Sequence, residues 1–99
     1  MRSKSKKKIT GDAVESFLKK KLEDIYPFVE GPPVKVKWAR RDYFGLFDFI
    51  TVDEEGKMIG HQCSKKYLSS KSRDFKERWS EWTGNKIYWR WKEGKWYCK

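Results

Sequence analysis

The sequence predicts an α/β domain, a mixed central sheet flanked by two helices, in the element order α-β-β-β-α-β. Three observations predict it. Apolar residues recur at helical spacing in two separate stretches, 12–26 and 70–82. Between and after them lie runs in which apolar and polar residues alternate, the period of a strand with one face buried. Turn residues punctuate the boundaries, Gly31-Pro32-Pro33 and Asp53-Glu54-Glu55-Gly56 above all.

The elements follow in order. Residues 1–10 include Arg2, Lys4, Lys6, Lys7 and Lys8 and no acid, which predicts a flexible basic arm suited to touching phosphates and leaves 11–99 as a single domain. Thr10 or Asp12 can cap a first helix to about Tyr26, with Val14, Phe17, Leu18, Leu22, Ile25 and Tyr26 on one broad arc. Glu15 falls at the edge of that arc, angled toward the body of the protein. After the break at Gly31, Val34, Val36 and Trp38 alternate with Lys35, Lys37 and Ala39 as a strand with one wet, basic face. Arg40-Arg41-Asp42 leads into a bend at Tyr43-Phe44-Gly45. Leu46–Val52 is a second strand, and 53–56 a hairpin loop in which Gly56 is free to take φ > 0. Lys57–Lys65 returns as the third strand. The second helix carries Phe75, Trp79 and Trp82 on one face and stops at Gly84. Ile87, Trp89 and Trp91 then alternate inward, leaving Tyr88, Arg90 and Tyr97 as contact candidates, and a short strand closes the chain after the turn at Glu93-Gly94. A chain of 99 residues hides only about 60–65% of its unfolded surface, so the core must be dense. Trp38, Phe47 or Phe49, Ile59, Trp79 and Trp89 are its expected members.

Charge bounds the function. Lys and Arg number 24 against 14 Asp and Glu, a net charge of +10 that attracts polyanions. DNA is the expected partner, with RNA in the same charge class. A membrane surface would call for a basic amphipathic helix with an unpaired apolar face or a lipidation motif, and neither is found. Two cysteines, Cys63 and Cys98, make no framework of bridges, and with the one histidine, His61, they do not make a zinc site. With no apolar segment after the basic start, these features predict a reducing, cytoplasmic setting.

One constellation carries chemistry. Asp48 interrupts the apolar run LFDFITV, and a buried carboxylate is costly unless something pairs with it. Gln62 and Ser64 share a face of the returning strand. A four-residue loop sets Asp48 opposite His61, whereas a bulge at Gly56 sets it opposite Gln62. Glu15 can add a second carboxylate, and such oxygen ligands suit Mg²⁺ or Mn²⁺. The plainer alternative bonds Asp48 to a backbone N–H and makes Gln62 and Ser64 a polar pair of the sheet. His61 is expected on the outer face of its strand. The segment 65–78 holds six basic residues among Tyr67, Phe75 and Trp79, which fits a phosphate-contacting edge as well as a solvated helix.

These residues carry a resemblance. Gly11 and Glu15 at the start of the first helix, Asp48 on a core strand and Gln62-Cys63-Ser64 followed by Lys65 and Lys66 resemble the PD-(D/E)xK nuclease superfamily. Its restriction-endonuclease-like αβββαβ core has the predicted element order, and the small Holliday-junction-resolvase-like branch is the nearest in size. The likeness spans roughly residues 11–98. It implies a metal-dependent DNA endonuclease acting on branched or structured DNA, with Mg²⁺ or Mn²⁺ on Glu15, Asp48 and the backbone carbonyl of Cys63. Gln62 and Ser64 would complete the catalytic set. Arg40, Arg41, Lys65, Lys66, Lys71, Arg73 and Arg90 would contact nucleic acid. Superfamily members often pair to cut two strands, so the resemblance also allows a homodimer. Two departures stand out: Gln62 replaces a charged ligand, and Ser64 replaces the motif lysine, a role that Lys71 or Lys76 could fill from the second helix. The second function class is therefore a non-catalytic nucleic-acid-binding module on the same fold.

Overall fold

Val14, Leu18 and Leu22 are fully buried along one side of the first helix, α1 (Gly11–Ile25), because their four-residue spacing lines them up on one face. The structure, a computed structural model, describes residues 11–32 and 43–99. The basic arm 1–10, the strand expected at 34–38, Trp38, Arg40, Arg41 and Asp42 lie outside the described residues. Beyond α1 come β1 (Phe28–Glu30), β2 (Phe49–Val52), β3 (Met58–Ser64), a 3₁₀ turn (Leu68–Ser70), α2 (Arg73–Glu81), β4 (Lys86–Lys92) and β5 (Lys95–Cys98). The five strands form one sheet in the order β1-β2-β3-β4-β5, with β3 and β4 parallel and every other pair antiparallel. The mixed sheet and its two helices are the α/β class expected, and β5 is the short closing strand expected after the turn at Glu93-Gly94.

The helices cover opposite faces. Leu18 and Leu22 of α1 pack with Phe49 and Trp89, joined by Cys63, Ile87 and Trp96. Trp79 of α2 packs with Leu46, Phe47 and Tyr88, joined by Ile50 and Phe75. Tyr88 and Trp89 are consecutive on β4, so their clusters lie on either side of the sheet. Both are buried, which corrects the expectation that Tyr88 is a contact residue: a strand between two helices has no wet face. Phe47, Phe49, Trp79 and Trp89 are core residues as expected, while Ile59 is only half-buried.

Three elements differ from expectation. A strand at 28–30 pairs with β2, too short between Pro27 and Gly31 to show a period in the sequence. The second strand begins at Phe49 rather than Leu46. Positive φ at Phe44 (59°) and Gly45 (71°), with Leu46 N–H donating to the Tyr43 carbonyl, makes residues 43–46 a tight turn, and Phe47 bridges back to Tyr43. α2 starts at Arg73, because Ser72 caps it by accepting the Phe75 N–H at 3.1 Å. At its other end the Lys86 ammonium donates to the carbonyls of Trp79 and Trp82 (2.9 Å to the latter), placing a cation where the helix leaves acceptors unpaired.

Candidate functional site

The β2–β3 hairpin sets the register of the site. Gly56 at φ 84° donates its N–H to the Asp53 carbonyl, and Asp53 N–H donates to the Lys57 carbonyl. The Asp53 carboxylate accepts from the Glu55 and Lys57 N–H groups at 2.9 Å each, pinning the turn. The left-handed glycine adds one residue to the loop, so Phe49 faces His61. That is the bulged register, which counts Asp48 opposite Gln62.

A second offset then acts at Asp48 itself. Its N–H donates to the carbonyl of His61 at 2.8 Å, although His61 is already the partner of Phe49. Two residues thus oppose one, the geometry of a β-bulge. Its consequence is visible in the core: Phe47 and Phe49, two apart, lie on opposite faces of the sheet. Between them the buried Asp48 turns its carboxylate to β3, where Oδ2 accepts the Cys63 N–H at 2.9 Å. Gly31 presses on the same point. A Cβ at Gly31 would stand 2.3 Å from the Asp48 carbonyl oxygen, so the chain after β1 holds Asp48 in place only because it has no side chain there.

Cys63 reports on what surrounds it. Burial pushes its thiol well above the usual range; Asp48 and Glu15 push it further, and Lys71 opposes them. Two carboxylates and one ammonium therefore lie within electrostatic reach of one thiol near the C-terminal end of β3. Gln62, also buried, extends its amide Nε2 to the Cys63 carbonyl at 3.4 Å. Asp48, Gln62 and Cys63 are thus joined by hydrogen bonds, and Glu15 lies within electrostatic reach of the Cys63 thiol. The backbone N–H bond to Asp48, the plainer alternative for that residue, is present as well.

Ser64 is engaged in ending its strand. Its hydroxyl oxygen accepts the Lys66 N–H at 3.0 Å and hydrogen-bonds the Tyr88 phenol, whose own O–H donates to the Lys66 carbonyl at 2.7 Å. Because β3 stops there, neither Lys65 nor Lys66 returns to the face of Gln62; both are exposed. Lys71 lies within electrostatic reach of the Cys63 thiol with its ammonium 5.2 Å from the Phe75 ring centre, while Lys76 donates to the Ser69 carbonyl at 3.2 Å. Arg73 is exposed and pairs with Glu77 at 3.4 Å. Arg90 lies with its guanidinium 4.0 Å from the Tyr67 ring centre and 4.9 Å from that of Tyr97, a stack that sequence spacing alone does not bring together.

His61 is not on the outer face. It is fully buried on the α1 side, with Nε2 2.8 Å from Thr51 Oγ1 and Nδ1 2.9 Å from Trp89 Nε1. An indole N–H can only donate, so Nδ1 accepts and the ring proton sits on Nε2, facing the threonine hydroxyl. Burial lowers its pKa to about 4. At neutral pH the ring is an uncharged core group held between Thr51 and Trp89.

The metal that the resemblance implies can be tested on the donors present. Glu15, Asp48 and the Cys63 carbonyl are hard oxygen donors. Mg²⁺ is commonly held by one or two carboxylates while keeping several waters, so the set fits it in kind. No group of three or more His, Cys, Asp or Glu side chains able to hold a metal occurs among the described residues. No described helix is long and apolar enough to cross a membrane. Comparison with family models, curated proteins and solved structures found no match.

Proposed function

We propose that this domain is a metal-dependent DNA endonuclease of the PD-(D/E)xK type, acting on branched or structured DNA. The observation that carries the reading is the buried Asp48, whose carboxylate accepts the Cys63 N–H at 2.9 Å beside Gln62, with Glu15 and Lys71 within electrostatic reach of that thiol. The α-β-β-β-α-β order supports it. Mg²⁺ or Mn²⁺ would be held by Glu15, Asp48 and the Cys63 carbonyl, and it supplies polarisation of the phosphate and acidification of a bound water. Lys71 places a positive charge beside the two carboxylates, where the motif lysine would stand and Ser64 cannot serve. It stabilises charge developing on the phosphate oxygens. Gln62 offers the cation a neutral amide, so the ligand charge rests on Glu15 and Asp48. Lys65, Lys66, Arg73 and Arg90 hold the phosphate backbone, with Arg40, Arg41 and the basic arm as further contacts.

A second reading has its own observation. No three His, Cys, Asp or Glu side chains able to hold a metal come together among the described residues, and Gln62 is neutral where a charged ligand would bind the cation harder. A non-catalytic nucleic-acid-binding module on the same fold fits those facts.

One experiment separates the two. Cleavage of duplex, flap and four-way DNA with Mg²⁺ or Mn²⁺ is compared for the wild type, Asp48→Asn, Gln62→Glu and Lys71→Met, beside calorimetric metal titration. Asp48→Asn should lose about two orders of magnitude in rate and metal affinity while DNA binding survives. Gln62→Glu should bind metal more tightly, and Lys71→Met should cut more slowly at unchanged metal affinity. Wild-type cleavage by Asp48→Asn refutes the site, and DNA binding without cleavage by any of the four assigns the module.

A further inference from the structure

Away from the carboxylates, a cavity of about 640 Å³ opens between α2 and its preceding 3₁₀ turn on one side and β4 and β5 on the other. Its size is within the range of about 300–1,000 Å³ typical of small-molecule sites. Four aromatic residues line it, Tyr67, Trp79, Tyr88 and Tyr97. The charged side chains that line it, Lys76, Arg90 and Lys99, are all basic. Tyr67 and Tyr97 stand at its rim, 55% and 47% exposed, held by the Arg90 guanidinium against which both rings lie. An aromatic recess whose charged side chains are all basic suits a flat, π-rich group attached to an anion.

We propose that this cavity takes one unpaired nucleotide of a nucleic-acid strand, its base against Tyr67, Tyr97 and Arg90 and its phosphate toward Lys76 or Lys99. Every base has a π-face, so such stacking holds any sequence, whereas a duplex keeps its bases inside and offers the rings nothing. The net charge of +10 brings the strand to the surface, and the cavity supplies what charge cannot, the distinction between paired and unpaired. The position connects it to the candidate site. β3 and β4 are paired in parallel, Gln62 beside Tyr88 and Ser64 beside Arg90, and the Tyr88 phenol takes the hydrogen bond of Ser64. A strand seated in the cavity would therefore run next to Gln62, which points to substrates with a single-stranded segment. The inference rests on the nucleic-acid reading of the charge and not on cleavage.

The test is binding in EDTA, so that cutting plays no part. Affinity is measured for a short oligothymidylate, an abasic strand of the same length, a blunt duplex, thymidine monophosphate and an oligoglutamate peptide. Wild type should bind the oligothymidylate about tenfold more tightly than the abasic strand. Tyr67→Ala and Tyr97→Ala should each remove most of that advantage and leave duplex binding unchanged, while Tyr67→Phe and Tyr97→Phe keep it. Both rings are largely exposed, so truncation leaves the core intact, and an unchanged thermal midpoint verifies this. Equal affinity for base-bearing and abasic strands overturns the proposal. So does an alanine variant that loses duplex binding equally, or a mononucleotide or oligoglutamate that binds as tightly as the oligonucleotide. Absence of cleavage alongside base-dependent binding would count against the nuclease reading alone.

Discussion

His61 illustrates how one buried side chain sets a pH limit. The unfolded imidazole titrates near 6.5 and the folded one near 4, because burial penalises the charged ring. Above pH 6.5 both states are neutral and stability is at its full value. As pH falls from 6.5 toward 4 the unfolded chain takes up a proton that the folded one refuses. Stability should drop across that window by about 3 kcal/mol. Urea midpoints measured between pH 7 and 4 should show the fall, and His61→Gln should flatten it. Gly31 sets a second limit, this one steric. Its φ of 120° and the 2.3 Å approach to the Asp48 carbonyl leave no room for a methyl group. Gly31→Ala should cost about 2 kcal/mol or more. It should also speed hydrogen exchange at the Cys63 amide, because the clash displaces the Asp48 backbone that carries the carboxylate accepting that N–H.

At the scale of elements, the site is made by irregularities in regular structure. A left-handed glycine in the hairpin and a one-residue offset at Asp48 together decide which strand face each of residues 46–49 meets. Without the offset, Phe47 and Phe49 would share a face and Asp48 would continue the ladder with its backbone. Lys71 depends on a different junction, between the 3₁₀ turn and α2. Its N–H donates to the Leu68 carbonyl at 3.0 Å, and the capping Ser72 follows directly. Ser72→Ala should destabilise the domain by about 1 kcal/mol, read by chemical denaturation. Ser72→Asp should restore it, since an acid at a helix start accepts the same N–H and faces the positive end of the dipole. Helix types and hairpin position were legible in the spacing of apolar and turn residues. The offset was not, because no turn residue marks it and period-two alternation is blind to a single inserted residue.

At the scale of the whole molecule, net charge and layering act together. Two helices bury both faces of the central strands, which confines polar chemistry to strand ends, sheet edges and the rim of the aromatic cavity. With a charge of +10, affinity for duplex DNA should fall steeply with salt, by about 0.9 in log K per unit log salt for each phosphate contacted. Titrations across several salt concentrations measure the slope, and a flat response would contradict an electrostatic interface. Lys65→Ala and Lys66→Ala should each reduce that slope by about one contact, because both side chains are exposed and lie beyond the end of β3.

The sequence by itself determined the α/β class, the two helices, the β2–β3 hairpin, the excess of positive charge and the identity of Asp48 as an acid inside an apolar run. Each of these is a local property: a period, a turn residue, a charge count or a residue out of pattern. Tertiary structure alone decided the rest. His61 and Tyr88 are buried because β3 and β4 are sandwiched, and alternation cannot say which face is wet when neither is. Glu15 and Lys71, 56 positions apart in the chain, act on the same thiol because α1 covers one face of the sheet and β3 ends beside the turn that carries Lys71. Tyr67 and Tyr97 meet across Arg90 for the same reason: contacts between distant residues are set by how the layers pack, and no spacing along the chain encodes them.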